Sequence, residues 1–159
     1  MEIALRAIGA IRTPFTASAG TPIQSRYAGG AEGTVEIFDE YAAGLRDIEG
    51  FDRLWLIYLF DRAVKAQLVV RPYLDDARHG IFATRSPARP NPIGISPVRL
   101  LRVEGTRLIV ADVDMLDGTP LVDIKPCVPE FDYLPVERVG WFEGRFAQNA
   151  VADDRFEQR

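Results

Sequence analysis

A chain of 159 residues, 47% hydrophobic and 26% charged, is long enough to bury a core without staples and too apolar to stay disordered. Its formal net charge of −4 excludes a protein that coats nucleic acid through a general basic field, though not one with a local basic patch. A single cysteine, Cys127, excludes an internal disulfide and suits a reducing compartment, so the cytoplasm is the expected location.

The opening IALRAIGAIR (3–12) alternates loosely and reads as a strand stopped by Thr13 and Pro14. It lacks the basic start and long apolar block of a signal peptide. Residues 13–30, rich in Pro, Gly, Ser and Thr, read as a loop, and GTVEIF (33–38) as a half-buried strand. The period then changes. DEYAAGLRDIEG (39–50) predicts the main helix, with Asp39 as N-cap, Tyr41, Leu45 and Ile48 on one face, and Gly50 as the stop.

FDRLWLIYLF (51–60) and QLVVRP (67–72) are strand-like, and the apolar run 54–60 is far too short to span a membrane. HGIFATR (79–85) reads as another strand. ISPVRLLRVEGTRLIVADVDML (95–116) predicts two strands turned at Glu104–Gly105, and DGTPLVDIKP (117–126) a turn leading into a short strand. Beyond 128 the pattern weakens, and AVADDRFEQR (150–159) reads as a frayed polar tail. About seven short strands, one helix and no βαβ period predict a mainly β, single-domain β-barrel with one main α-helix.

Several chemistries are missing. No glycine-rich phosphate cradle follows a strand, and one histidine with one cysteine cannot build a zinc site, so no metal is expected. His79 and Cys127 are read as separate structural residues rather than as a base and its nucleophile. Leu74-Asp75-Asp76 reads as solvated surface.

Two segments carry polar chemistry. FATRSPARPNPIG (82–94) holds prolines at 87, 90 and 92, which forbid a helix or a central strand. It is a stiff loop presenting Arg85, Ser86, Arg89 and Asn91. Fixed guanidiniums suit a carboxylate or phosphate ligand, or equally an ion pair to Asp112 or Asp114 at a barrel rim. The chain has seventeen arginines and two lysines, Lys65 and Lys125. Lys125 stands in the second segment, DMLDGTPLVDIKPCVPEFD (114–132), two residues from Asp123. In a strand the two would face the same way, as a ligand site or a plain ion pair.

Together, GIFATRSPARPNPIGIS and DVDMLDGTPLVDIKP closely resemble the TrmO (TsaA-like, YaeB-like) family of S-adenosylmethionine-dependent methyltransferases. IGAIRTPF (8–15) and FDRLWLIYLF (51–60) resemble that family's opening strand and the strand after its helix, so the likeness covers residues 3–132. It implies a β-barrel acting as a homodimer, S-adenosyl-L-methionine as cofactor, and methylation of N6 of threonylcarbamoyl-adenosine beside the tRNA anticodon. The alternatives are a small-molecule acceptor, or a module that binds the cofactor without transferring its methyl.

The first motif matches at Arg85, Ser86, Arg89, Asn91, Pro92 and Gly94. The second matches at Asp117, Gly118, Thr119, Pro120, Asp123, Lys125 and Pro126, and the N-terminal one at Ile11, Arg12, Thr13 and Pro14. The resemblance implies that an arginine of the loop takes the methionyl carboxylate. It implies that the 117–119 turn meets the ammonium, ribose or adenine, and that Asp117, Asp123 or Lys125 assists proton loss. The sequence departs from the family at Cys127, where a tyrosine is usual, and at Arg53 and Asp61, where histidines are common. A further C-terminal domain carried by longer relatives is not expected. A basic face made by Arg6, Arg12, Arg26, Arg78, Arg89 and Arg99 would favour RNA.

Overall fold

A computed structural model describes residues 1–158. Among these residues eight strands form: β1 (Gly9–Arg12), β2 (Glu32–Ile37), β3 (Arg53–Leu59), β4 (Val69–Val70), β5 (His79–Gly80), β6 (Ile93–Glu104), β7 (Arg107–Ala111) and β8 (Thr119–Pro126). Six of them close a barrel in the order β1-β2-β7-β6-β3-β8, every neighbouring pair antiparallel, so the predicted mainly β barrel is what the chain builds. The remaining two, β4 and β5, pair in a small ribbon outside it.

Alternation fixes which residues enter. In β3 Leu54, Leu56 and Tyr58 point inward while Trp55 and Ile57 stay partly exposed, and β6 turns Gly94, Ser96 and Val98 in. Ile11, Leu54, Leu56, Val98, Leu108 and Leu121 are essentially without solvent contact and form the barrel core. The turn expected at Glu104–Gly105 forms there. Glu104 pairs with Arg107, and Gly105 takes φ 63°, a left-handed conformation that glycine adopts without steric cost.

Three expectations fail. Residues 39–50 do not make an α-helix but two 3₁₀ turns, Asp39–Leu45 and Ile48–Gly50, and Phe38 rather than Asp39 stands at the first N-cap. Asp47, at φ 67°, separates them, and a twelve-residue stretch containing Gly44 has little helical stability of its own. Tyr41, Leu45 and Ile48 still face the core, as their spacing predicted. The strand at 79–85 stops after Gly80 and becomes a 3₁₀ turn over Ile81–Ala83, closed by the Thr84 hydroxyl donating to the Ile81 carbonyl at 2.9 Å.

The third failure matters most. The supposed polar tail is docked. Ala150 and Phe156 are buried, Val151 bridges to Pro22, and Glu157 bridges to Ala63. Phe156 completes a second apolar cluster with Val70, Ile81 and Ala88 beside the β4–β5 ribbon. The ring stands in a stretch that reads as polar, and composition cannot reveal its docking. No helix among the described residues is long and apolar enough to cross a membrane.

Candidate functional site

The barrel is open to ligand at one end, where β3 finishes and β6 and β8 begin. A cavity of about 740 Å³ lies there, between the barrel and the segments packed across it. Its walls come from six parts of the chain: the loop after β1, the stretch following β3, residues 72–74, the proline-locked loop running into β6, the segment from Asp114 into β8, and the returning C-terminal segment.

Arg85, Ser86, Arg89, Gly94 and Thr119 line the cavity. The locked loop and the start of β8 therefore do converge. Asn91 is exposed and is not among the lining residues, and the Pro92 carbonyl accepts the Phe60 N–H at 2.7 Å. Asp117, Gly118 and Pro120 sit one step behind the wall. The Asp117 carboxylate accepts the Thr13 N–H at 3.1 Å, its carbonyl accepts Arg62 Nη2 at 2.7 Å, and the Gly118 N–H reaches the Ile11 carbonyl at 2.8 Å. Asp123 and Lys125 share one side of β8, as the two-residue step predicts, and meet each other at 2.9 Å as a solvent-exposed ion pair that does not line the cavity.

Neither arginine of the loop pins a carboxylate among the described residues. Asp112 is taken by Arg99 at 2.9 Å and Arg53 at 3.4 Å. Arg85 donates to the Gln24 side-chain oxygen at 2.7 Å and otherwise stays exposed. Arg89 serves the loop itself, its Nη1 donating to the carbonyls of Thr84 at 2.9 Å and Ile81 at 3.1 Å. Arg89→Ala leaves both carbonyls without that donor. The expected cost is about 2 kcal/mol, read as a lower urea midpoint. An unchanged midpoint would show that the prolines alone hold the loop.

The Leu74-Asp75-Asp76 stretch is not simply solvated. Asp75 accepts from His79 Nε2 at 2.9 Å and faces Arg145 Nε at 3.2 Å. The His79 hydrogen bond, then the Ala77 N–H and the Arg145 charge, hold its carboxyl below the usual carboxylate range. The His79 ring stacks on Trp141, centroids 4.4 Å apart, and the Trp141 indole N–H donates to the Ala83 carbonyl at 2.7 Å. Asp75 thus clasps an aromatic strap, and Trp141, Phe142 and Phe146 present themselves to the cavity. His79 itself does not line the cavity.

The groups of greatest chemical interest were not picked out as site residues from the sequence. Asp114 lines the cavity. Its Oδ1 accepts the Ser96 hydroxyl at 2.6 Å and its Oδ2 the Ser25 hydroxyl at 3.2 Å. Ser96 also shares a 3.0 Å hydrogen bond with the buried Tyr58 hydroxyl. Burial pushes the Asp114 carboxyl up to about 6, against the pull of the two serine hydroxyls. Burial, with Asp114 nearby, raises the Tyr58 phenol well above its ordinary value. One signal was available. Ser96 occupies an inward position between Gly94 and Val98, and a hydroxyl there needs a partner.

The sequence family of the tRNA-methyltransferase O N-terminal domain matches residues 10–133, most of the barrel together with the locked loop. The chain belongs to the TrmO family. A Pyrococcus abyssi protein named probable S-adenosyl-L-methionine-binding protein is 55% identical over 158 residues, 98% of this chain and 86% of its own. The mouse tRNA (adenine(37)-N6)-methyltransferase is 36% identical over 133 residues, 79% of this chain and 31% of the mouse protein. The crystal structure of TrmO from Pseudomonas aeruginosa superposes with a TM-score of 0.74 at 36% identity, over 89% of this chain and 63% of that one. The barrel is therefore a TrmO barrel, and the cavity at its end belongs to the matched segment together with the strap that follows it.

Proposed function

We propose that this TrmO-family protein is an S-adenosylmethionine-dependent methyltransferase, with the cofactor in the barrel-end cavity and N6 of threonylcarbamoyl-adenosine in tRNA as the acceptor. One observation carries the reading: the arginine loop, the start of β8 and an aromatic strap close around a single space of about 740 Å³. That volume falls within the roughly 300–1,000 Å³ typical of small-molecule sites. The donor set fits the cofactor. Arg85 offers a guanidinium to the methionyl carboxylate, and Trp141, Phe142 and Phe146 offer aromatic surface to a purine. Arg62, also in the wall, has a buried Nε without a hydrogen-bond partner among the described residues.

The bound cofactor supplies a methyl group already activated by its positive sulfur. The protein's part is then alignment, which can be worth several kcal/mol. The locked loop limits motion of Arg85, and the strap keeps water from the aromatic side. Asp117, Asp123 and Lys125 do not line the cavity of their own chain. Asp117 is assigned a positioning role through Arg62, whose guanidinium its carbonyl holds.

The mouse relative's name and the family's name support tRNA as the acceptor. So does Arg26 on the cavity wall, where Arg62 and Arg89 are held by backbone carbonyls and Arg85 is assigned to the cofactor, since phosphate contacts dominate nucleic-acid affinity. Of the other arginines expected to form a basic face, Arg12 is paired with Glu36 and Arg99 with Asp112. A homodimer accounts for the segment after β8, where Phe131, Tyr133, Leu134 and Val136 are each more than 70% exposed. Sedimentation should read two chains, and a monomer at micromolar concentration removes the dimer.

The test combines calorimetry with S-adenosylmethionine and mass spectrometry of nucleosides from tRNA incubated with protein and cofactor. Binding together with a new N6-methyl nucleoside is the expected result. Binding without methylation of tRNA leaves the cofactor-binding module or another acceptor. No binding at millimolar cofactor ends the reading.

A further inference from the structure

Asp114 is a carboxylate on the cavity wall that no described lysine or arginine meets as an ion pair. Asp61, which also lines the cavity, has Arg62 Nε 3.9 Å away. The two oxygens of Asp114 are held by neutral groups. The Ser96 and Ser25 hydroxyls take one oxygen each, and the backbone N–H groups of Ser25 and of Asp114 itself add to them. An ionised carboxylate has about four acceptor sites, and a serine hydroxyl holds each of its two oxygens while its charge stays unpaired.

That state selects among cations. An ammonium binds through N–H donation and would compete with the two serines for those oxygens. A sulfonium carries a positive charge but has no N–H or O–H to donate, so a carboxylate already held by hydroxyl donors can meet it by charge alone. Asp61, exposed and loosely paired, leaves the ammonium a partner elsewhere on the wall. We propose that Asp114 faces the positive sulfur of the bound cofactor and distinguishes the methyl donor from its demethylated product. The inference rests on the cavity being the S-adenosylmethionine site. Donor and product, S-adenosylhomocysteine, differ by one methyl group and one positive charge. When the methyl leaves, the sulfur becomes a neutral thioether and the attraction to Asp114 disappears. In an enclosed site of low effective dielectric that attraction is stronger than in water. Asp114 thus holds the donor and lets the product go.

The experiment is calorimetry of the full chain with each of the two ligands at pH 5 and at pH 7. Burial places the Asp114 carboxyl at about 6, so it gains its charge across this window. The groups facing it do not blur the result. Ser25 and Ser96 do not titrate, and the phenol of Tyr58 is pushed upward, away from the window, even with Arg85 acting on it in the opposite direction. Donor affinity should rise about tenfold from pH 5 to pH 7, and product affinity should stay flat, because only the donor's charge is linked to that proton. Asp114→Asn should weaken the donor about tenfold at pH 7, abolish its pH dependence and leave the product unchanged.

The same pH course for both ligands, or two flat courses, overturns the inference while the cofactor reading stands. So does an Asn variant that weakens both ligands alike. Failure of the unaltered protein to bind either ligand strikes the reading of the cavity itself. The pH series needs no variant, so a poorly folding Asp114→Asn chain does not block the test.

Discussion

Gly94→Ala is expected to lower stability by about 2 kcal/mol, and Gly94→Val by more, although the position looks like an ordinary loop-to-strand glycine. Gly94 lies opposite Tyr58 across the β6–β3 pair. A Cβ built there would stand 2.5 Å from the Tyr58 ring Cζ and 2.9 Å from Phe60 Cζ. Neither ring is a flexible end that swings away cheaply. Tyr58 is 3% exposed with its hydroxyl bonded to Ser96, and Phe60 packs edge-on against it with centroids 5.3 Å apart. The added methyl therefore displaces a buried ring, and that ring carries the Ser96–Asp114 hydrogen bonds with it. For a chain of this size the Ala variant should melt about 4–8 °C lower. Calorimetry should find cofactor binding weakened as well. An unchanged melting temperature would falsify the packing argument and return Gly94 to a direct ligand role.

Phe156→Ala is expected to cost about 3 kcal/mol and to weaken ligand binding at the same time. Phe156 is 5% exposed, packs with Val70, Ile81 and Ala88, and meets Tyr73 edge to face at 5.3 Å. Its carbonyl also accepts the Val64 N–H at 3.0 Å. Deleting the ring removes the main anchor of the C-terminal segment, which then opens locally before the barrel does. Limited proteolysis should cut the variant between 140 and 158 under conditions where the parent chain resists. A variant with unaltered resistance and affinity would mean that the two bridges, to Pro22 and Ala63, suffice without the ring.

The strands were the most legible part of the sequence, because their signal is local. Leu54, Leu56 and Tyr58 alternate with less buried neighbours, and a barrel core needs that alternation. The 3₁₀ turns at 39–50 were not legible for a related reason. An apolar spacing of three to four residues buries one face whether the backbone is α or 3₁₀, so the face was read correctly and the helix type was not. The terminal segment failed because Phe156 is anchored by residues about 70 to 90 positions earlier in the chain.

The site was half legible. Three prolines announce a rigid loop, and Arg85, Ser86, Arg89 and Gly94 reach the cavity. What Arg89 does there, bonding its own loop's carbonyls, depends on a turn the sequence did not predict. Asp114 was considered only as an ion-pair partner. Its chemistry comes from enclosure and from two serines 89 and 18 positions away in the chain. An aspartate between Val113 and Met115 shows nothing of this until the barrel is closed.

The barrel closes only when β1 pairs with β8, joining Gly9 to Leu121. Because Thr119 of β8 and the returning C-terminal segment as far as Phe156 both line the cavity, ribosome-bound intermediates that have not reached Phe156 lack a complete recognition surface for any ligand. Contacts this distant along the chain also predict slow folding for the size of the protein. Ligand abundance can therefore protect the finished molecule from unfolding by mass action but cannot guide its synthesis.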